Sequence, residues 1–132
     1  MLEIVRRLHG EDLGSIANSL AGDENAELIA ERVAGAVGLS GPAGSSEETF
    51  WAVRKLLEAH ARRSPDKIFI ESPDQRSSVS FGEFEALTRR LANLLAAEGL
   101  HTGDRVSILS ENGIEALAIF WGALRSGVIV NN

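Results

Sequence analysis

Ser80-Phe81-Gly82-Glu83-Phe84, with the residues that follow as far as Gly99, is the stretch that decides the fold. Ser80 and Glu83 have the spacing of a capping box, in which a hydroxyl and a carboxylate satisfy the free amides of a helix start. Phe81, Phe84, Leu87, Leu91, Leu94 and Leu95 recur at helical intervals. This single apolar stripe predicts an amphipathic helix of about five turns. Gly99 is placed to end it, because glycine accepts the left-handed backbone that commonly follows a last helical turn.

Working outward, Gly103-Asp104-Arg105 forms a turn into a strand at Val106-Ser107-Ile108-Leu109. Asn112, with Glu115 three residues on, is placed to cap a second helix carrying Ile114, Leu117, Ala118, Phe120, Trp121 and Leu124. Gly127 stops that helix. Val128-Ile129-Val130 begins another strand, and its unbroken apolar run predicts burial on both faces. Strand, helix and strand in this order imply parallel neighbours joined by a right-handed crossover. On the amino-terminal side, Lys67–Glu71 and Ser78–Ser80 flank a turn at Pro73-Asp74-Gln75-Arg76, which predicts a hairpin. The fold class is therefore α/β: an incomplete parallel-sheet unit of hairpin, helix, strand, helix and strand.

Short amphipathic helices precede it. Leu2, Val5 and Leu8 line an opening helix that ends near Gly10; Leu13, Ile16, Ala17 and Leu20 line the next. Leu28, Ile29, Val33 and Val37 line a third, closed by Gly38. Three domains of sequence follow: a helical extension over 1–38, a Gly/Ser/Pro linker over 39–46, and the α/β part over 47–132. Alone, the early helices offer too little apolar surface for a core, so they are expected to dock on the second part or on another chain. Ser45 and Glu48 form another capping box, opening a helix that runs to about Arg63 with Phe50, Val53, Leu56 and Leu57 inward.

Composition limits the chemistry. The 132 residues are 44% hydrophobic and 24% charged, ordinary for a globular protein. The net charge of −6 argues against nucleic acid as a partner, since phosphate backbones call for clustered Lys and Arg. The charge is uneven: residues 1–45 hold seven acids and three bases (net −4), residues 46–132 twelve acids and ten bases (net −2). Cysteine is absent, which excludes disulfides and thiolate chemistry. No apolar run approaches the roughly 18 residues of a membrane span, and the first residues lack the order of a secretory signal. A cytoplasmic location is the expectation.

Catalytic candidates are few. His9, His60 and His101 have no metal spacing and are expected as solvated surface residues. No serine lies in a Gly-x-Ser-x-Gly turn. Arg62-Arg63 and Arg89-Arg90 are expected as solvated helix surface, and Trp51 and Trp121 as core or interface residues. Ser110-Glu111-Asn112-Gly113 is the one segment with functional promise, at the carboxyl end of a parallel strand where open α/β sheets often bind ligands. Catalytic and metal-ligating residues are expected to be none, and no cofactor-binding residue is assigned.

Several pieces occur in a telling order: Pro65-Asp66-Lys67, Ser80–Phe84, Leu91-Ala92-Asn93-Leu94-Leu95, Gly99-Leu100, Gly103-Asp104-Arg105-Val106, Asn112 and Gly127–Val130. Over His60 to Asn132 the chain resembles the N-terminal segment of the adenylate-forming enzymes, the acyl-CoA synthetase and AMP-ligase family. It departs from that pattern at Phe81, where tyrosine is usual, and at Asn132, where proline is common. The resemblance implies a parent that joins ATP to a carboxylate, releases pyrophosphate and passes the acyl group to coenzyme A, with ATP, magnesium and coenzyme A as its cofactors. The family's phosphate loop, magnesium-supporting acid, ribose-binding aspartate and mobile lysine have no counterpart here. The expectation is an N-terminal fragment of such a ligase, inactive alone, whose partner is the remainder of the parent or a second copy paired through an open sheet edge. The alternative is a free-standing binding or assembly protein that keeps the scaffold without catalysis.

Overall fold

The computed structural model describes residues 13–39, 41, 44–111 and 113–131. The expected helix over Leu2–Leu8 and the cap at Asn112 lie outside them. Two compact units divide at His60/Ala61. The first contains α1 (Leu13–Ser19), α2 (Ala26–Val37) and most of α3 (Ser46–Arg63). The second contains β1 (Ile68–Ser72), β2 (Ser77–Ser80), α4 (Phe81–Ala97), β3 (Arg105–Ser107), α5 (Ile114–Ser126) and β4 (Ile129–Asn131). The chain is α/β, as its patterning predicts.

In the first unit α1 packs on α2. Ile16, Leu20, Ile29, Val33 and Val37 are buried, whereas Leu28 is largely exposed. Gly38, with φ of 76°, closes α2: its amide donates to the Gly35 carbonyl at 3.2 Å, and the Leu39 amide donates to that of Ala34 at 2.9 Å. This glycine-terminated turn satisfies carbonyls that the helix leaves without partners. The capping box before α3 forms as expected. The Ser45 amide donates to the Glu48 carboxylate at 2.9 Å, and the Glu48 amide to Ser45 Oγ at 3.2 Å. Val53, Leu56 and Leu57 are buried, joined by Ala52 and Ala59; Phe50 is half-buried.

The second unit opens with the antiparallel β1–β2 hairpin, whose register shifts between Ile68 and Ile70. This bulge falls at Phe69, and bulges re-aim side chains. Phe69 stacks on Phe81 at 4.7 Å between ring centroids and meets Phe84 at 5.1 Å. The first turn of α4 is tied down by its backbone too: Phe81 N donates to Lys67 O and Gly82 N to Pro65 O. Capping is reciprocal, with Ser80 N donating to Glu83 Oε2 at 2.8 Å and Glu83 N to Ser80 Oγ at 3.3 Å. Helix α4 buries Phe81, Phe84, Thr88 and Ala92.

That face corrects the expected stripe. Leu94 is 53% exposed, and Leu91 and Leu95 are only half-buried. The cause is α5, which crosses α4 at Gly122: a side-chain carbon there would stand 2.6 Å from Leu91 Cβ and 3.2 Å from the Thr88 carbonyl. So close a crossing buries Thr88 and Ala92, sets Leu91 half-buried against Gly122 and leaves Leu94 exposed.

β3 and β4 are parallel, pairing Arg105 with Ile129, Val106 with Val130 and Ser107 with Asn131. The helical crossover is as predicted. The strand expected at 106–109 instead covers 105–107, paired with 129–131, and Leu109 is fully exposed. Burial of Val128–Val130 on both faces does not occur: Val128 is buried but Ile129 is 48% exposed. Alternation explains this, since one face of a strand turns toward α5 and no third strand or second layer covers the other among the described residues.

The two capping boxes carry pH dependence. Hydrogen bonding from the Ser80 amide holds the Glu83 carboxyl below its ordinary value, and the Ser45 amide with the nearby Arg32 charge does the same for Glu48. A carboxyl whose folded value is depressed stabilises the fold above its unfolded pKa, about 4.3, and loses that contribution as pH falls through the folded value. Ser80→Ala is expected to lower the midpoint of urea unfolding at neutral pH by a cost of about 1 kcal/mol. The difference between the two proteins should shrink in acid. An unchanged midpoint at neutral pH would mean that Ser80 contributes no capping energy.

Candidate functional site

The segment singled out by its sequence position forms the loop between β3 and α5. Ser110 and Glu111 are exposed, and Ser110 Oγ donates to the Glu111 carbonyl at 3.1 Å. Asn112 lies outside the described residues. The residue that precedes the first helical position is Gly113, in extended conformation and with no side-chain cap of its own. Its place is filled from the hairpin turn: Gln75 Oε1 accepts from the Ile114 amide at 3.4 Å, and Gln75 Nε2 donates to Glu115 Oε2 at 3.2 Å. A contact across 39 residues leaves no periodic signal in a sequence.

The Gly103-Asp104-Arg105 turn is structural, as its residue types imply. The Asp104 carboxylate accepts from the His101 amide at 2.7 Å, and Asp104 N donates back to His101 O at 3.0 Å. Gly103 N and Asp104 O reach the carboxyl end of α5 and β4, bonding Gly127 O at 2.9 Å and Ile129 N at 2.8 Å. The turn thereby joins β3 to β4.

A cleft of about 800 Å³ lies between the second half of α4, the 100–102 loop and the end of α5. Arg89, Asn93, His101, Thr102 and Arg125 line it, over a floor of Ala92, Ala96 and Leu100. Two of its arginines meet Glu85 of α4. Arg125 Nη2 stands 2.5 Å from Glu85 Oε2, with both side chains 15% exposed, and Arg89 Nε stands 2.7 Å from Glu85 Oε1. Arg89 is therefore part of an ion-pair network as well as a surface residue. The 85/89 spacing is a recognisable helical pair. Arg125, forty residues away, is brought in only by the α4–α5 crossing.

Other candidates stay apart. His9 is outside the described residues. His60 is half-buried, and His101 is 85% exposed with Nδ1 3.8 Å from Asp104. Among the described residues no three His, Asp or Glu side chains come close enough to hold a metal ion. Trp121 is buried with Phe120 edge-on against it, and Trp51 is half-buried. Ser110 and Glu111 do not line the cleft that holds Arg89 and Arg125, so among the described residues these candidates are not brought together.

Residues 57–132 match the family of AMP-binding enzymes, and the chain belongs to that family. It is 30% identical over 89 residues to the sulfoacetate–CoA ligase of Cupriavidus necator, covering 67% of this chain and 18% of that one. It is 31% identical over 74 residues to the long-chain-fatty-acid–CoA ligase FadD13 of Mycobacterium tuberculosis, covering 56% and 15%. The inhibitor-bound crystal structure of the N-terminal domain of FACL13 from Mycobacterium tuberculosis superposes with a TM-score of 0.52 at 31% identity, covering 56% of this chain and 19% of that one. The chain spans less than a fifth of the length of these relatives.

The Glu85 network sets an expectation. Glu85→Ala deprives the nearly buried Arg125 of its carboxylate, at a cost of about 2 kcal/mol, because a desolvated charge loses its counter-charge. Arg89→Ala removes an exposed pair and should cost less than about 1 kcal/mol. Urea unfolding of the two variants against the parent chain checks the order. Equal costs would mean that Arg125 is not held through Glu85.

Proposed function

We propose that this chain is the N-terminal segment of an ATP-dependent acyl-CoA ligase, in which it builds scaffold and supplies no catalytic side chain. The parent's reaction is that of a carboxylate with ATP to give an acyl-adenylate and pyrophosphate, followed by thioester formation with coenzyme A. The observation that carries the reading is the β3–β4 pair within the family-matched region. Parallel sheets are found with both faces covered and neighbours on their edges. Here one face holds the half-exposed Ile129, and two parallel strands stand without a third among the described residues. In this reading residues 1–38 are a helical extension, 39–46 a linker, and 47–132 the beginning of the adenylate-forming domain. In the same reading ATP, magnesium and coenzyme A are bound by other segments of the parent.

Adenylate formation depends on positioned cations and backbone donors around the phosphates. The purified chain should therefore show no carboxylate-dependent exchange of pyrophosphate into ATP above a protein-free blank. Exchange clearly above that blank would overturn the assignment.

The partner that completes the sheet is the remainder of the parent. Without it, the open edge is a template for another strand, and the isolated chain should pair with a second copy. Sedimentation at micromolar concentration should give a dimer or larger species. A clean monomer would show that the edge is already closed, and would favour a free-standing protein that keeps the scaffold without catalysis. Among the described residues no helix is long and apolar enough to cross a membrane.

A further inference from the structure

We infer that Gln75 is a remote cap for α5, latching the tip of the β1–β2 hairpin to the entry of that helix at Gly113 and Ile114. The first amides of a helix have no intrahelical acceptor. In α5 the earliest backbone bond of the usual kind runs from Leu117 N to Gly113 O, at 3.2 Å. Ile114 N lies before it and donates instead to Gln75 Oε1 at 3.4 Å. The same carboxamide donates through Nε2 to Glu115 Oε2 at 3.2 Å. A carboxamide is suited to this place because one group must accept from a backbone amide and donate to a carboxylate. Glutamate would offer only acceptors, and lysine only donors.

Gly113 completes the latch by leaving room. A side-chain carbon at 113 would stand 2.5 Å from Gln75 Nε2 and 2.9 Å from Oε1, so any larger residue must evict the carboxamide. The backbone at 113 is extended, with φ of −176°, so the requirement is space and not conformation. On the hairpin side, Arg76 sits at φ of 50° with its amide donating to Pro73 O at 3.1 Å. A non-glycine residue in this left-handed region costs roughly 1–2 kcal/mol and persists where its surroundings impose it. The bonds that Gln75 makes to α5 are such a surrounding constraint. Hairpin tip and helix entry are thereby coupled, and opening one releases the other. This inference stands whether or not the chain belongs to a ligase, because each of its contacts lies within the second unit.

Amide hydrogen exchange of the full 132-residue chain, read by NMR as protection factors, tests it. Gln75→Ala should lower protection of Ile114 by roughly fivefold, the loss of one hydrogen bond of ordinary strength. Protection of Ala118 and Trp121, deeper in α5, should stay unchanged. Gly113→Ala should lower Ile114 protection similarly, by displacing the carboxamide of an unaltered Gln75. The double variant should show no further loss, since one latch cannot be opened twice. Unchanged Ile114 protection in Gln75→Ala would overturn the inference. Additive losses in the double variant would overturn it too, as would a parallel drop at Ala118 and Trp121, which would point to general destabilisation.

Discussion

The close crossing of α4 and α5 at Gly122 is the contact on which the second unit depends. Glycine at that point lets the helices approach until Thr88 and Ala92 fill the gap, and a single methyl group would collide with Leu91. The approach has an electrostatic consequence, because it carries Arg125 onto Glu85 where both are largely withdrawn from water. Pairing there offsets a desolvation that neither charge would tolerate alone. It also has a topological consequence. α5 is the crossover between β3 and β4, so the depth at which it sits on α4 sets where β4 emerges.

From Gly122 to the sheet is a short path. Gly127 ends α5 with φ of 74°, and the chain turns directly into β4, whose first amide is bound to Asp104. Asp104 in turn is held by its own turn with His101. The parallel pair is thus positioned entirely by helix ends and turns. No residue of β3 is fully buried, and three of the four exposed positions of β3 and β4 are polar or charged: Arg105, Ser107 and Asn131. A sheet so placed is ordered by what precedes it and remains open to what lies beside it.

Much of this was legible in the sequence, for a physical reason. Caps, helix ends and turns are local, and each is written within four or five residues: Ser45 with Glu48, Ser80 with Glu83, Gly38, Gly99, Gly127, and Pro73–Arg76 all occupy the places their spacing implies. The errors arose where distant segments meet. Leu94 has the spacing of a core residue, but its depth is decided by a glycine nearly thirty positions on. Ile129 has the hydropathy of a buried strand, but no further layer covers it. Gln75 is an ordinary turn residue until α5 is folded against the hairpin, and Arg125 is an ordinary last-turn arginine until Glu85 faces it.

The same division explains why the family was readable while the chemistry was not. The positions that carry the resemblance are those where backbone geometry restricts the residue: cap pairs at helix starts, left-handed glycines at helix ends, an aspartate folded into its own turn. Such positions specify a scaffold, and a scaffold is shared by enzymes with different acyl substrates. Substrate choice resides in side chains that converge on a reacting atom. Here Arg89 and Arg125 converge instead on Glu85, and the Gln75 carboxamide is spent on a helix end. A sequence can thus announce its lineage in helix caps, helix ends and turns and still leave the substrate unwritten.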